Sequence, residues 1–355
     1  MYKESSKNFC VCGIEINDDE LKVAQLKRKK DKRRLVSWNK VRLPEGVIQD
    51  FEIKDASRFS EILDNALDNA EGEKIKQRKA VVSIPEKNIF LRILSIPAAE
   101  EDELGEIIKW ELEANIPVSV EEVYYDWQIV EKEGGKMKAL VVACAQKKID
   151  NIIKAFEAAN IELQALEADS IANGRSVLPL KSSKPTLIID IGLKGTGYFI
   201  YDKGYPVFSS SGSISGKFFT DAISKYYKVE WKKAEAYKQR AGLGAGPEEK
   251  REIEKVYGGL LQTLVQEIKK TISFYDEKLK SDEANKVEKI IVCGGGSNLS
   301  GLVSYLAVSL KRNVVQGDPW VKLDLGGDIP PISKEAVQSF VTVIGLSLRS
   351  CKQRK

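Results

Sequence analysis

The stretch TLIIDIGLKGTGYFIYDKGYPVFSSSGSISG, residues Thr186 to Gly216, decides the fold. Its first apolar run, Leu187 to Ile189, ends on Asp190, and a glycine-spaced turn, Gly192 to Gly197, follows. Two further strand-like segments, separated by an Asp-Lys-Gly turn, complete a predicted meander of three strands. The backbone N–H groups of such a turn can hold phosphate, and an Asp at a strand end can hold Mg²⁺ through water.

A similar pattern opens the chain at Phe9 to Pro44, where an apolar strand, the polar turn Asn17 to Glu20 and two more strand-like segments follow one another. Two such openings about half a chain apart predict an internal duplication. A third piece, Ile290 to Leu302, is a buried strand that runs into three glycines and the start of a helix. The order is therefore a first acid-bearing turn, a second one, and a strand followed by Gly-Gly-Gly-Ser.

Composition excludes several kinds of site. The chain has 355 residues, 56 Lys and Arg against 52 Asp and Glu, and no histidine, which excludes His-based triads and His-ligated metals. No apolar run is long enough to span a bilayer. None of the five cysteines has metal-ligand spacing, and Cys10 and Cys12 are predicted to be small core residues in a reducing compartment.

A basic segment, Lys27 to Arg34, lies at the predicted tip of the first hairpin. The simplest interpretation is a solvated loop. Contact with anionic lipid headgroups is the alternative, since clustered Lys and Arg near a membrane gain about 1 kcal/mol each. Nucleic acid is disfavoured, because no aromatic residues for base stacking alternate with the charges.

Three consecutive segments in the middle of the chain are the most specific part of the sequence. They are Ser83 to Pro97, then the acidic amphipathic segment Glu103 to Pro117, then Glu121 to Val130, which contains Glu-Glu-Val-Tyr-Tyr-Asp-Trp. With these segments the chain resembles the PilM family of type IV pilus assembly proteins, relatives of FtsA in the actin-like ATPase superfamily. The resemblance extends from about Gly13 to Arg349.

The resemblance implies an α/β fold of the actin-like type, with duplicated ribonuclease-H-like domains and an inserted small α+β subdomain. The first half is expected at residues 8–84, continued by 161–183 and 333–351. The inserted subdomain, with the order strand, helix, strand, strand, helix, is expected at 85–160. The second half is expected at 184–332, with a helical insertion at about 217–289.

The resemblance also implies a nucleotide site for ATP and Mg²⁺. Asp190 would hold the Mg²⁺ water shell, and the turn from Gly192 to Thr196 would hold the γ-phosphate. Glu167 or Asp169 matches the family's acid near the metal, so these two and Asp190 are the candidate catalytic residues if the protein is active. The remaining candidate nucleotide contacts are Lys22, Glu267, Lys270, Gly294, Gly295, Gly296 and Ser297.

The first phosphate turn departs from the family pattern of Asp-x-Gly, small hydroxyl residues and a later Lys. Lys22 stands at the family spacing, but Asn17 replaces the glycine, and Asp18, Asp19 and Glu20 replace the small residues. Like charges 4 Å apart repel by about 4 kcal/mol at a surface-like dielectric, so this turn would disfavour a triphosphate unless its acids point outward or recruit cations. We expect weak or absent ATP hydrolysis, and whether ATP and Mg²⁺ bind at all stays open.

Two functions follow. The first is a cytoplasmic scaffold of a pilus, competence or secretion machine, held at the inner face of the membrane by the cytoplasmic N-terminal peptide of a PilN-like inner-membrane protein. In PilM that peptide lies in the cleft between the inserted subdomain and the first one, so Arg92, Ile96 and Pro97 are candidate groove residues here. The second is an active ATPase of the superfamily or, with less support, a sugar kinase. Self-assembly, as in FtsA-like proteins, stays open.

Overall fold

The computed structural model describes residues 8–179, 184–243, 247–279, 286–325 and 332–351. The chain divides into two compact units. Among the described residues, unit 1 comprises 8–176, 322–325 and 342–351, and unit 2 comprises 177–179, 184–243, 247–279, 286–321 and 332–341. The domain limits expected from the sequence stay a prediction, and residues 180–183 of one limit lie outside the described ranges.

Unit 1 contains a mixed sheet and a second, smaller sheet. Its strands are β1 (Cys12–Ile16), β2 (Glu20–Lys29), β3 (Lys32–Arg42), β4 (Ile48–Gln49), β5 (Glu52–Ile53), β6 (Glu71–Gly72), β7 (Lys79–Ile84), β8 (Ile89–Pro97), β9 (Val123–Glu133), β10 (Lys136–Ala145) and β11 (Glu162–Ala168). Its helices are α1 (Ala56–Asp68), α2 (Leu104–Asn115), α3 (Gln146–Ala158) and α4 (Asp169–Val177).

The main sheet of unit 1 has the order β11-β7-β1-β2-β3-β6. Strands β1, β2 and β3 pair antiparallel, whereas β7 and β11 add in parallel on the other side of β1. Helix α1 covers this sheet because its apolar residues recur at helical spacing; Phe59, Leu63, Ala66 and Leu67 are buried. The carboxylate of Asp55 caps the helix by accepting from the N–H of Arg58.

The inserted segment forms a three-stranded antiparallel sheet of order β8-β10-β9. Helix α2 covers one face of it through Leu104, Ile108 and Leu112. Helix α3, which the sequence assigns to this subdomain, packs differently: Ile152 and Phe156 belong to the core of the main sheet and α1. The element order is as expected, but the last helix lies on the first-half core because its apolar stripe matches that of α1.

Unit 2 repeats the arrangement of the main sheet. Its strands are β12 (Thr186–Ile191), β13 (Thr196–Asp202), β14 (Tyr205–Gly212), β15 (Lys289–Cys293) and β16 (Asn313–Gln316), and its helices are α5 (Gly216–Tyr227), α6 (Trp231–Ala241), α7 (Pro247–Lys278), α8 (Leu302–Leu310) and α9 (Lys334–Val337). The sheet order is β14-β13-β12-β15-β16, with an antiparallel meander on one side and parallel strands on the other. The last helix, α10 (Val341–Ser350), provides the C-terminal part of unit 1.

The two main sheets therefore share one topology, since β3-β2-β1-β7-β11 corresponds strand for strand to β14-β13-β12-β15-β16. This confirms the predicted duplication and the actin-like α/β fold. Within the described ranges, no helix combines the length and the apolar character needed to cross a bilayer.

Cys10 is buried as predicted, but the prediction that it is a reduced cysteine is wrong. Cys10 is joined to Cys351 in a disulfide that spans 341 residues, with 5.2 Å between the two Cα atoms. Cys12 is buried and free, as predicted. The sequence hides this pair because the residue before β1 and the residue after α10 come together only in the folded unit.

Candidate functional site

The turn between β1 and β2, predicted to be the first phosphate turn, is closed by its own side chains. The Nζ atom of Lys22 lies 2.8 Å from Oε1 of Glu15, and both residues are only 7% exposed. Asn17 donates from its amide to the same Oε1 atom at 3.1 Å. The lysine at the family's phosphate-binding spacing is therefore already paired with a carboxylate of this chain.

The added acids of this turn also have partners. Asp18 accepts a hydrogen bond from the N–H of Phe51 through Oδ1 at 3.2 Å. Glu20 lies 2.8 Å from Nζ of Lys40 and 3.8 Å from Nζ of Lys22. Nearby lysines and a backbone N–H group thus compensate the negative charge of Asp18 and Glu20. Recruitment of cations is one of the two ways in which, from the sequence, the turn could tolerate its acids.

The β4–β5 hairpin connects this turn to the inserted segment. Its two turn residues, Asp50 and Phe51, both have positive φ, and the Phe51 side chain is 1% exposed. Positive φ at two successive non-glycine residues is strained and persists only where surrounding contacts enforce it. Lys148 donates to the carbonyl of Asp50 at 2.7 Å, and Asn151 bonds both backbone groups of Ile53.

The two candidate acids on either side of the β11–α4 junction differ in their environments. Both carboxylate oxygens of Glu167 accept from Arg175, one of them at 2.6 Å, and Arg349 reaches the same group. Glu167 is buried, so this cluster is a structural ion-pair network in unit 1. Asp169 begins α4 and is partly exposed, and its carbonyl accepts from Asn173.

In unit 2, the glycines after β15 pack against the end of β12. Gly294 has a φ of +81°, and a Cβ atom there would overlap Oδ1 of Asp190 and the carbonyl of Ile191. A Cβ atom at Gly296 would overlap the side chain of Ile191. Gly295 is different, because it is exposed and a Cβ atom there would lie 3.8 Å from Cβ of Ser339, an ordinary contact distance. Two glycines thus serve packing, whereas Gly295, next to Gly294 in the same loop, presents exposed backbone.

In the turn that the sequence predicts to be the second phosphate turn, backbone and side-chain groups form hydrogen bonds within the chain. The N–H of Gly192 bonds the carbonyl of Gly195 at 2.8 Å, which closes the turn. The hydroxyl of Thr196 donates to the carbonyl of Ile214 at 2.6 Å and is buried. Ser297 is also buried, with its hydroxyl donating to Gly294 at 2.7 Å. These two hydroxyls stabilise the loops that carry them.

Glu267 on α7 anchors that helix to the sheet. Its Oε2 atom accepts from the hydroxyl of Tyr198 at 2.8 Å, and its Oε1 atom accepts from the N–H and the hydroxyl of Ser213. Burial, and then the neighbouring carboxylate, raises the pKa of Tyr198 and keeps its hydroxyl a donor. Lys270, one turn further along α7, is exposed.

The three candidate groove residues on β8 have different exposures. Ile96 is 1% exposed and lies in the core under α2, so its side chain does not line an open groove. Pro97 is exposed at the end of the strand. Arg92 is half-buried; burial lowers its pKa, and Glu86 opposes that effect. Its guanidinium lies over the ring of Phe90, 5.2 Å from the centroid, and donates to the carbonyl of Leu91 at 2.7 Å.

Sequence reasoning missed the contacts that cross large separations along the chain. Tyr198 lies in a predicted strand and Ser213 lies beyond the predicted third strand, and nothing local marks either as a partner of Glu267. Lys148 looks like an ordinary surface lysine on a helix. For the metal, Asp190 is a single carboxylate, and the described residues contain no cluster of three or more Cys, Asp or Glu that could hold an ion by itself.

Comparisons with known proteins agree with this architecture. A solved structure of the PilM-PilN type IV pilus biogenesis complex is similar over 97% of this chain and 99% of that chain, with a TM-score of 0.79 and 23% identity. MreB5 of Spiroplasma citri bound to AMPPNP is similar over 94% of both chains, with a TM-score of 0.55 and 14% identity. At these identities the likeness shows the fold.

Of the two sequence comparisons, one covers about a third of the chain and the other covers nearly all of it. The cell division protein FtsA of Staphylococcus epidermidis is 25% identical over 115 residues, which are 32% of this chain and only a quarter of that relative's length. The model of the family described as type IV pilus assembly protein PilM matches residues 13–351, nearly the whole chain. The protein therefore belongs to the PilM family of type IV pilus assembly proteins.

Proposed function

We propose that this protein is an actin-like scaffold of a type IV pilus or related assembly machine, and that it acts by binding a partner rather than by hydrolysing ATP. The ion pair between Lys22 and Glu15 carries this proposal. A lysine that neutralises a triphosphate must be free to approach it, whereas here its charge is already compensated inside unit 1.

The nucleotide-binding elements of the two units differ in what they retain. Unit 2 offers the open backbone at Gly295 and the carboxylate of Asp190, which fit a phosphate–metal ligand. Unit 1 offers a turn whose lysine is paired and whose Glu20 is held by Lys40. We infer that ATP and Mg²⁺, if they bind, are held mainly through unit 2 and with low affinity.

The partner that we propose is the cytoplasmic N-terminal peptide of a PilN-like inner-membrane protein. Support comes from the family and from the structurally similar PilM-PilN complex. Strand β8 lies at the edge of its sheet, so an extended peptide can add main-chain hydrogen bonds there. Arg92 supplies a half-buried charge and Pro97 an exposed ring on this strand. Such a contact would hold the protein at the inner face of the membrane.

Isothermal titration of the full chain with a synthetic peptide of the PilN-like protein's cytoplasmic N-terminal residues tests this proposal. We expect one peptide per chain, equal affinity with and without Mg-ATP, and at least about tenfold weaker binding by Arg92→Ala, since a desolvated charge contributes about 2 kcal/mol or more. Arg78→Ala, an exposed arginine before β7, is the matched control and should bind normally. Absence of binding by the natural chain contradicts the scaffold, and steady phosphate release from Mg-ATP would favour the ATPase.

A further inference from the structure

The hairpin formed by β2 and β3 carries an arrangement of charge that disfavours its own folding. Its register places Lys27 opposite Arg34, Arg28 opposite Arg33, and Lys29 opposite Lys32. Three successive cross-strand pairs therefore each put a cation opposite a cation, and like charges directly opposite each other destabilise a hairpin. Residues 27–34 contain seven Lys and Arg and one Asp, a net charge of +6.

Lys27 and Lys32 form ion pairs with carboxylates elsewhere in unit 1. Lys27 pairs with Glu73 at 3.1 Å, and Lys32 pairs with Asp324 at 3.3 Å. Both pairs are largely solvated, and exposed pairs contribute little. Lys29 and Arg34 are exposed on the hairpin. The hairpin is thus a paired β-ribbon with a net charge of +6 over residues 27–34, and an anionic partner would stabilise it.

The inserted segment carries the complementary charge. Residues 100–135 contain twelve Asp and Glu against two Lys, a net charge of −10, although the whole chain has a net charge of +4. Much of this charge lies along and beside α2, whose buried side faces the three-stranded sheet. Glu106 and Glu113 are exposed, seven residues apart, and therefore on one side of the helix.

Between these two carboxylates lies an exposed aromatic residue. Trp110 is 72% exposed and stands four residues after Glu106 and three before Glu113. Indole is the aromatic ring that binds cations best, and a guanidinium can stack on it while bonding to carboxylates at the rim. We define Glu106, Trp110 and Glu113 as the acidic face of α2; its chemistry suits an arginine- and lysine-rich surface.

We propose that the β2–β3 hairpin of one copy of this chain docks on the acidic face of α2 of a second copy. One contact then accounts for both surfaces, whereas an anionic membrane would account for the hairpin and leave the acidic face without a function. The two surfaces are different patches of the same chain, so the contact is heterologous. Repeating it joins copies head to tail, into a ring or an open chain.

Sedimentation velocity of the full chain tests this proposal with charge-reversed variants. We expect the natural chain to self-associate, and its association to weaken at least about tenfold when salt rises from about 0.1 M to about 1 M, because the Debye length falls from about 10 Å to about 3 Å. Glu106→Lys/Glu113→Lys and Lys29→Glu/Arg34→Glu should each be monomeric. Since every changed side chain is exposed, circular dichroism should show unchanged folding.

Mixing the two variants gives the decisive result. Each retains one natural surface that fits the natural surface of the other, so the mixture should associate although neither variant associates alone. Lys225→Glu/Lys233→Glu, which reverses two exposed lysines on α5 and α6, is the matched control and should associate like the natural chain. A monomeric natural chain, an unpaired mixture, or loss of association in the control overturns the proposal. The proposal is also overturned if Lys29→Glu/Arg34→Glu self-associates like the natural chain but no longer binds phosphatidylserine vesicles.

Discussion

The ammonium group of Lys22 and the carboxylate of Glu15 lie 2.8 Å apart on neighbouring strands, which flank the turn that the sequence predicts to be the first phosphate turn. They face each other directly in the β1–β2 register, which pairs Glu15 with Lys22. The pair therefore follows from the strand geometry itself. An acid at position 15 satisfies the lysine within the chain, and a nucleotide would have to compete with it.

Replacing Glu15 should restore nucleotide affinity at the expense of stability. Glu15→Gln removes the nearer of the two carboxylates beside Lys22, so we expect the free energy of unfolding to fall by about 3 kcal/mol. The released ammonium group should then bind triphosphate, and Mg-ATP at 100 times its dissociation constant would return about 2.7 kcal/mol. Thermal shift with and without Mg-ATP measures both effects.

The control for that experiment is Glu15→Gln/Lys22→Met, which removes both charges and should show no shift with Mg-ATP. A clear shift in the natural protein would contradict the interpretation, because it would mean that the paired lysine does not prevent binding. Asp18 is unsuitable for this test, since its carboxylate holds the N–H of Phe51 and its loss would also loosen the β4–β5 hairpin.

Substitution of two glycines after β15 should affect stability differently, because Gly294 is packed and Gly295 is exposed. At Gly294→Ala, a positive φ and overlap with Asp190 should destabilise the protein by about 3 kcal/mol or more. Among the described residues, the Cβ atom of Gly295→Ala would meet Cβ of Ser339 at an ordinary 3.8 Å, so this variant should leave the melting temperature nearly unchanged. Urea denaturation measures both. Comparable losses in the two variants would show that the loop is not packed as described.

Much of the architecture could be predicted from the sequence because its signals are local. Alternation and turn residues predicted the meander from Thr186 to Gly212, and the structure places β12, β13 and β14 there in antiparallel register. The apolar residues at helical spacing likewise predicted helix α2. Duplication followed from two such openings, and the matching strand orders confirm it.

The side-chain chemistry could not be predicted in the same way, since it depends on distant partners. Glu267 lies 69 residues from Tyr198, and Asp18 lies 33 residues from Phe51. A motif states which residue types stand near a ligand in a family, but not whether another side chain of the chain has taken their hydrogen bonds. For Thr196, Ser297 and Glu267, partners within unit 2 occupy those bonds.

Glu167 should behave as a structural residue. Glu167→Gln leaves Arg175 and Arg349 without their shared carboxylate in a buried position, and we expect a loss of about 3–5 kcal/mol in the free energy of unfolding. Glu162→Gln on the same strand removes an exposed pair with Lys79 and should change stability little. Chemical denaturation of both variants compares them. An unchanged stability in Glu167→Gln would contradict the structural role, and Glu167 would again be a candidate catalytic acid.

The disulfide should be detectable by mass and by melting temperature. Non-reducing intact mass after unfolding and alkylation should show three modified cysteines; unfolding is needed because burial raises the pKa of Cys144 to about 11 and that of Cys12 to about 12. A reducing agent should destabilise the natural chain by about 2–4 kcal/mol. It should have no such effect on Cys10→Ser/Cys351→Ser. Five modified cysteines in the natural chain would mean that the bond is absent.

Lys322 should make the stability of unit 1 depend on pH above neutrality. Burial, and then the nearby charges of Arg175 and Arg33, lower its pKa from 10.5 to about 8. Below pH 8 both the folded and the unfolded chain hold the proton, so this group contributes no slope. Between pH 8 and 10.5 the unfolded chain binds more protons, and stability therefore rises with pH.

The expected gain from Lys322 over that interval is about 1–2 kcal/mol after allowance for solvent screening. Urea denaturation at several pH values should show it as a difference between the natural chain and Lys322→Met, which lacks the group. Lys136→Met, an exposed lysine on β10, should follow the natural chain throughout. The free energies of unfolding of the natural chain and of Lys322→Met could instead change with pH by the same amount between pH 8 and 10.5. Lys322 would then not be desolvated beside the two arginines, and its hydrogen bond to the carbonyl of Arg175 at 2.8 Å would be a solvated contact.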